Sequence, residues 1–231
     1  MATILEFAPA FLASGGSIST SKTCTAGSAV VVLQWSSEWS SPATPTCTVT
    51  GSTGAPIGTS RRAVDYPIFR AWLAENVSGG TVIAEVSGFH AAAKCQIAAF
   101  EIVGAPTSSA MDAWLGNVAV SDPTGDAAAS PGIAVADGSV VIAAFTYDGP
   151  ASAASWTQPS TYTAATSPTD SDQAMRLAHK VFTGAASGQV ATATTSGSAT
   201  WFESFLIAIK DGGGGGGSST TPLKAQHFRR R

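Results

Sequence analysis

Charged residues are scarce in this chain. Only 12% of its 231 residues are Asp, Glu, Lys or Arg, about half the usual fraction. Leu, Ile, Val and Phe together supply about 19% of the sequence, a value at which disorder becomes common. Disorder also needs a high net charge, and the formal net charge here is only −3. The composition therefore predicts a folded, weakly charged protein.

Long apolar runs are absent as well. The longest is Val140–Phe145 with six residues, followed by Ala29–Leu33 and Phe205–Ile209 with five each, all far short of the roughly 18 residues that a membrane-spanning helix needs. We therefore expect no transmembrane helix and no membrane partner. The first residues, MATILEFAPAFLASGG, lack a basic segment, and Glu6 interrupts their apolar stretch. A secretory signal needs a basic segment and an uninterrupted apolar stretch, so export by that route is not expected unless a leader was removed.

Cysteine is rare, with only Cys24, Cys47 and Cys95 present. An odd number at wide spacing is neither a disulfide framework nor the CxxC pattern of a zinc site. The spacing favours three small buried side chains in a protein that folds in a reducing cytoplasm. A Cys24–Cys47 bridge between neighbouring strands is the alternative.

Residues suited to catalysis are few and scattered. The three histidines are His90, His179 and His227, and no serine lies in the G-x-S-x-G pattern of a nucleophile elbow. Glu101 and Glu203 lie at similar places in the two halves of the chain, where we interpret them as outward strand positions rather than a facing pair of catalytic carboxylates. The sequence thus predicts no enzyme activity, no metal site and no cofactor.

Small residues, by contrast, are abundant. Ala, Ser and Thr number 97, or 42% of the chain, and they alternate with apolar residues in short runs that Gly, Pro and Asp clusters separate. In Ala174–Phe182, for example, Met175 and Leu177 share one face of a strand while Arg176 and Lys180 share the other. Such runs predict an all-β, jelly-roll-like antiparallel β-sandwich over residues 1–211.

Eleven runs carry this strand pattern. They are Thr3–Phe7, Ser28–Trp35, Cys47–Thr50, Pro67–Ala74, Thr81–Val86, Cys95–Val103, Gly116–Val120, Ser139–Tyr147, Ala174–Phe182, Gln189–Thr194 and Thr200–Lys210. The segment most compatible with a helix instead of a strand is Ala63–Asn76, but Pro67 weakens the helical interpretation.

A weak internal repeat links the two halves. The matching segments are Ser28–Trp35 with Gly138–Phe145, Ala71–Ala84 with His179–Thr192, and Phe100–Gly104 with Ile207–Gly212. They occur in the same order, at offsets that drift from about 110 to 107. We interpret them as two four-stranded Greek keys that build one jelly-roll-like sandwich. Chance similarity among alternating strands is the alternative.

The chain changes character after Asp211. Residues 212–222 form a Gly/Ser/Thr linker that begins with six glycines, and such a segment is expected to be a flexible tether. Residues 223–231 carry a charge of +4, whereas the preceding residues carry −7. Four charges are too few for tight nucleic-acid binding, whereas apolar anchors among arginines suit a protein groove. The predicted docking residues are Leu223, Lys224, Phe228, Arg229, Arg230 and Arg231.

The six tryptophans have two interpretations. They are bulky core fillers for a sandwich that has few other large side chains, or they form a platform on which a sugar stacks. Trp39 and Trp156 lie in loop-like surroundings, so they are the best candidates for contact with a ligand.

Three segments form a further pattern. They are Trp72-Leu-Ala-Glu-Asn76-Val-Ser-Gly79-Gly80, Glu101-Ile-Val-Gly104, and the strand Phe205–Ile209 that precedes a glycine run. Together they resemble a widespread β-sandwich domain of tailed-phage and prophage virion proteins. The resemblance covers nearly all of residues 3–212, but the short basic tail departs from it. The family offers no catalytic residues to transfer.

The resemblance implies a non-enzymatic structural protein of the virion, of the tail, neck or capsid-decoration type. Such a protein is made in the host cytoplasm, assembles as a homo-oligomer and contacts other virion proteins. The alternative is a carbohydrate- or receptor-binding adhesion module whose partner is a host-surface glycan.

Overall fold

The computed structural model describes residues 1–12, 14–37, 44–50, 52–61, 68–90, 92–119, 127–129, 132–148, 156–157, 161–167, 173–189, 191–195 and 201–213. This part of the chain is all-β and contains twenty strands. In the first half they are β1 (Thr3–Glu6), β2 (Ala10–Leu12), β3 (Ser17–Cys24), β4 (Ala29–Ser36), β5 (Thr46–Val49), β6 (Ser52–Thr53), β7 (Ala55–Arg61), β8 (Ile68–Ala74), β9 (Gly80–Ser87) and β10 (Cys95–Val103). In the second half they are β11 (Met111–Ala119), β12 (Ala127–Ala129), β13 (Ile133–Val135), β14 (Val140–Asp148), β15 (Trp156–Thr157), β16 (Thr163–Ala165), β17 (Gln173–Val181), β18 (Ala186–Gln189), β19 (Thr192–Thr195) and β20 (Trp201–Ile209).

The strands form antiparallel sheets that stack in four layers. The first inner sheet has the order β1-β10-β4-β8-β7, with β2 also paired to β10, and the first outer sheet has the order β3-β9-β5-β6. The second inner sheet has the order β11-β20-β14-β17-β16. The second outer layer consists of two small sheets, β12-β19-β15 and β13-β18. The predicted all-β, sandwich-like fold is thus confirmed.

Three hydrophobic cores separate these layers. The central core lies between the two inner sheets and contains Leu33 and Phe100 from the first and Ile142 and Phe205 from the second. The other two cores lie between each inner sheet and its outer neighbour. The central strands of the inner sheets are therefore buried on both faces, and every residue of β4 is buried. This double burial explains why β4 and β14 are almost continuously apolar in sequence.

The two halves of the chain repeat one strand order. In the first half, β1-β10-β4-β8 faces β3-β9-β5-β6, which is the arrangement of an eight-stranded jelly roll. In the second half, β11-β20-β14-β17 follows the same path, and β13-β18 and β19-β15 supply the facing layer. The repeat unit is therefore larger than the predicted four-stranded Greek key, because each half contributes both an inner and an outer layer.

Hydrogen bonds fix how the two halves correspond. Val77 N donates to Ser28 O at 2.9 Å, and Phe182 N donates to Ser139 O at the same distance. Ser28 and Ser139 are thus equivalent, whereas the sequence comparison aligned Ser28 with Gly138. A slip of one residue exchanges the two faces of a strand. The sequence pattern does not reveal this slip, because both faces of these strands are buried.

A strand, not a helix, forms the described part of the segment 63–76. Strand β8 spans Ile68–Ala74, and residues 62–67 lie outside the described ranges. Among the residues that the structure describes, no helix is long and apolar enough to cross a membrane.

All three cysteines are buried and free, so the alternative Cys24–Cys47 bridge is absent from the structure. Burial, together with the nearby charge of Glu101, raises the pKa of the Cys24 thiol to about 11. Burial alone raises the pKa of the Cys47 thiol to about 12. Both thiols therefore remain protonated at neutral pH.

Candidate functional site

Most of the predicted contact residues lie outside the described part of the chain. This applies to Trp39 and to the whole docking segment, that is Leu223, Lys224, Phe228, Arg229, Arg230 and Arg231. Trp156 lies in β15, where it pairs with Thr195, but its side chain is not described. Their predicted roles therefore stay predictions.

Three other tryptophans have described side chains. Trp35 and Trp72 are buried in the central core and in the first outer core, respectively, as expected of core fillers. Trp114 on β11 is different, because 38% of it is exposed. It is thus the described tryptophan that a ligand can reach.

Trp114 lines a groove of about 530 Å³ where the edges of the two inner sheets meet. Strand β7 is the last strand of the first inner sheet, and β11 is the last strand of the second. The groove is lined by Ser52, Ala55, Pro56, Ile57, Leu73, Glu75, Thr107, Met111 and Trp114. Within the described part of this lining, apolar and hydroxyl side chains therefore surround a single carboxylate.

The indole of Trp114 is held by a second ring beneath it. Its ring stacks on that of Phe205, with centroids 5.4 Å apart and an interplanar angle of 12°. Phe205 in turn contacts Phe69 of the first inner sheet at 5.2 Å between centroids. The central core thus supports one face of the indole, and the exposed surface of Trp114 borders the groove.

The carboxylate of Glu75 is also fixed in place. Glu75 directly follows β8, and its Oε1 accepts a hydrogen bond from Ala110 N. Ala110 lies just before β11, so this bond links the two halves of the chain at the groove. The bond orients the carboxylate beside Trp114.

The opposite seam between the inner sheets is built differently. There β1 lies beside β16 and β17, and Glu6 Oε2 accepts a hydrogen bond from Thr166 N at 2.8 Å. Glu6 Oε1 is also 3.7 Å from His179 Nε2. Burial lowers the pKa of His179, although the negative charge of Glu6 opposes this shift. Polar contacts therefore bridge this seam.

Glu6 and Trp114 correspond to each other in the duplicated fold. Glu6 pairs with Phe100 on β10, and Trp114 pairs with Ile207 on β20. Phe100 and Ile207 are themselves equivalent through their pairing with β4 and β14. One strand position thus carries a bridging carboxylate at the first seam and an exposed indole at the second.

Glu101 is buried rather than outward-facing, so that expectation is wrong. Its Oε2 lies 2.6 Å from Lys22 Nζ, and its Oε1 accepts a hydrogen bond from Thr25 N at 2.6 Å. Burial alone would raise the pKa of Glu101. The hydrogen bond and positive charge of Lys22, together with the hydrogen bond from Thr25 N, outweigh this effect of burial, so the pKa is lowered. The side chain of Glu203 is not described. Glu101 therefore holds β10 to the turn that follows β3.

A second polar cluster is enclosed between the first inner and outer sheets. Arg70 Nη1 donates to Gln34 Oε1 at 3.2 Å and to Ser36 Oγ at 3.1 Å. Gln34 Nε2 donates to Cys95 Sγ at 3.3 Å. All four residues are buried, so the cluster stabilises the interior and offers no access to a substrate.

Within the described ranges, no group of three or more His, Cys, Asp or Glu side chains is arranged to hold a metal ion.

Comparison with known proteins gives no match, since no protein-family model, no curated protein and no solved structure matches this chain.

Proposed function

We propose that this chain is a non-enzymatic structural component of a phage virion, which assembles through its β-sandwich and docks by its C-terminal segment. The observation that carries the proposal is the outward face of the first outer sheet. Jelly rolls serve in viral capsids and in lectins, and this fold-level analogy adds to the resemblance noted in the sequence.

The outward face of the first outer sheet is covered by hydroxyl side chains. Along β3, the outward residues alternate with buried ones, and pairing places them in rows with β9 and β5. The hydroxyl residues of the face are Ser17, Ser19, Ser21, Thr23, Thr46, Thr48, Thr50, Thr81 and Ser87. Ile83, which is 45% exposed, lies among them, and Glu85 is the charged residue that the structure describes on this face.

Such a face is suited to contact with another protein. Charged residues are depleted at the centres of protein interfaces, and burying short side chains loses little conformational entropy. Ile83 supplies an apolar contact between two rows of hydroxyls, since Ser21 and Thr50 lie on either side of it. A second copy of the chain or another virion protein would fit this surface.

Charge introduced at Ile83 tests the proposal. The variant Ile83→Lys should shift the full-length chain toward the monomer in sedimentation velocity and reduce its copy number in purified particles. A matched control is Leu5→Lys, because Leu5 is also a partly exposed strand residue, at 39%, but lies in a different sheet. Normal assembly of Ile83→Lys would show that this face is not the contact.

The docking segment is tested by ending the chain after Asp211. The truncated body should remain folded, because every described strand precedes this point, yet it should fail to enter particles. Incorporation at the normal copy number would show that the C-terminal segment does not dock.

A further inference from the structure

We propose that the groove between β7 and β11 binds a neutral carbohydrate, with one pyranose ring packed on Trp114 and its hydroxyls bound by Glu75. This binding role goes beyond the assembly function and does not depend on it. The argument rests on the indole, the carboxylate, the asymmetry of the two seams and the charge of the groove.

The indole of Trp114 provides a rigid apolar platform. A pyranose ring presents a patch of C–H groups, which packs well against a flat aromatic surface. Because Phe205 stacks at 5.4 Å on Trp114, the indole is already oriented before a ligand arrives. A preorganised side chain loses less entropy on binding than a mobile one.

Polar groups around the platform match the edges of a sugar. Glu75 Oε1 is held by Ala110 N, which positions the carboxylate to accept hydrogen bonds from sugar hydroxyls. Bonds to a charged acceptor are stronger than neutral ones. Ser52 and Thr107 also line the groove, and their hydroxyls can donate and accept. A volume of about 530 Å³ falls within the range of small-molecule sites.

The two seams of the fold carry different side chains at one equivalent position. Glu6 occupies the position equivalent to Trp114 and bridges its seam through Thr166. At the second seam, the indole of Trp114 is 38% exposed and leaves apolar surface in water, which is unfavourable. A ligand that covers Trp114 would recover this free energy.

The charge of the groove decides between a sugar and the basic C-terminal segment. That segment carries four positive charges and would need several acidic partners at the rim. Among the residues that the structure describes along the groove, Glu75 is the one ionisable side chain, and it already accepts a bond from Ala110 N. A neutral polyhydroxyl ligand therefore fits the lining better than a cationic peptide.

Titration of the full-length chain tests the proposal. The probes are neutral oligosaccharides of glucose, galactose, mannose and N-acetylglucosamine, added to about 10 mM and followed by calorimetry, since weak sites have a Kd near 1 mM. At least one should bind. Trp114→Ala should weaken binding by about tenfold or more, and Glu75→Gln should weaken it by a smaller factor. Phe11→Ala is the matched control, because Phe11 is an equally exposed aromatic at 39% on β2, and it should bind normally.

Two results would overturn the proposal. One is that no oligosaccharide binds, and the other is that Trp114→Ala, shown to be folded by its thermal unfolding, binds as the parent does. If Trp114→Ala does not fold, the isosteric Glu75→Gln carries the test alone. A synthetic peptide of residues 221–231 that binds in a Trp114-dependent manner, while no sugar does, would assign the groove to the C-terminal segment. Ile83→Lys should retain sugar binding, so failure of assembly and failure of the groove are distinguishable.

Discussion

Glu101 and Asp112 hold equivalent turns in the two halves of the molecule, although they lie on different strands. Glu101 Oε1 accepts a hydrogen bond from Thr25 N at 2.6 Å, and Asp112 Oδ2 accepts one from Ala136 N at 2.7 Å. Thr25 and Ala136 each lie three residues before the serine that directly precedes the matching strand, and the carbonyl oxygen of each accepts a hydrogen bond from the backbone N–H of that serine. Each repeat thus uses a carboxylate to fix this turn, which identifies both acids as structural groups.

Replacement of Glu101 should make the free energy of unfolding less dependent on pH in the acidic range. Because the folded-state pKa of Glu101 is lowered, its ionised form contributes stability above its ordinary value of 4.5, and this contribution is lost as pH falls through the lowered value. We expect Glu101→Gln to reduce the free energy of unfolding at pH 7 by about 2 kcal/mol. The difference from the parent should shrink below pH 4.5, as measured by urea unfolding at a series of pH values.

The control for this experiment is Glu85→Gln, which changes a carboxylate on the outward face and should leave stability at pH 7 nearly unchanged. A difference between parent and Glu101→Gln that stays constant down to pH 2 would contradict the role of the charge.

Gly27 and Gly138 are equivalent turn residues that should respond differently to the same substitution. Both have positive φ, +82° and +78°, which costs a non-glycine residue about 1–2 kcal/mol. A Cβ at Gly27 would have no neighbour closer than 3.9 Å, whereas a Cβ at Gly138 would lie 2.7 Å from Asp211 Cβ. Gly138→Ala must also displace Asp211, whose carboxylate is 3.0 Å from the N-terminal amine.

We therefore expect Gly27→Ala to lower the free energy of unfolding by about 1–2 kcal/mol and Gly138→Ala to lower it by more. Denaturant unfolding of the two variants under one set of conditions measures the difference. Equal losses would mean that Asp211 moves aside without cost.

Much of the fold could be predicted from the sequence because most long strands contain many apolar residues. Strand β10 matches its predicted range, and β4, β14, β17 and β20 shift by about one residue. Strand β3 was missed, because its outward residues are serine and threonine and its inward positions include Thr20 and Lys22. Lys22 is tolerated on the inward face because Glu101 pairs with it, and that pairing spans 79 residues of sequence.

The groove could not be predicted in the same way. Trp114 is one of six tryptophans, and its neighbours Met111 and Ala113 resemble those of an ordinary strand residue. The groove exists because the edge strand β7 meets the edge strand β11, a contact between distant parts of the sequence. Local patterns report burial and alternation but not which sheet edges come together.

Substitution of Trp35 measures how much free energy an unpartnered polar group costs in the central core. Trp35 is 1% exposed, and its indole Nε1 has no hydrogen-bond partner among the residues that the structure describes. Trp35→Phe removes this donor, which relieves about 1–3 kcal/mol, but leaves a small cavity that costs a similar amount. The free energy of unfolding should therefore change by less than about 1 kcal/mol, whereas Trp35→Ala should lose about 3–5 kcal/mol. A loss for Trp35→Phe as large as that for Trp35→Ala would show that packing alone decides this position.

His179 should make the polar seam sensitive to mild acid. Burial lowers its folded-state pKa below the ordinary 6.5, so the unfolded chain takes up a proton more readily than the folded one. Stability should therefore fall as pH drops through 6.5 toward the lowered value. His179 pairs with Ile142 as Leu73 pairs with the equivalent Val31. The variant His179→Leu therefore introduces the residue type that lines the groove, and it should remove this part of the pH dependence. The check is the free energy of unfolding at pH 7.5 and at pH 5.5, with His90→Leu, at an exposed position, as the control. If His179→Leu loses as much stability between these two pH values as the parent does, the acid sensitivity does not come from this seam.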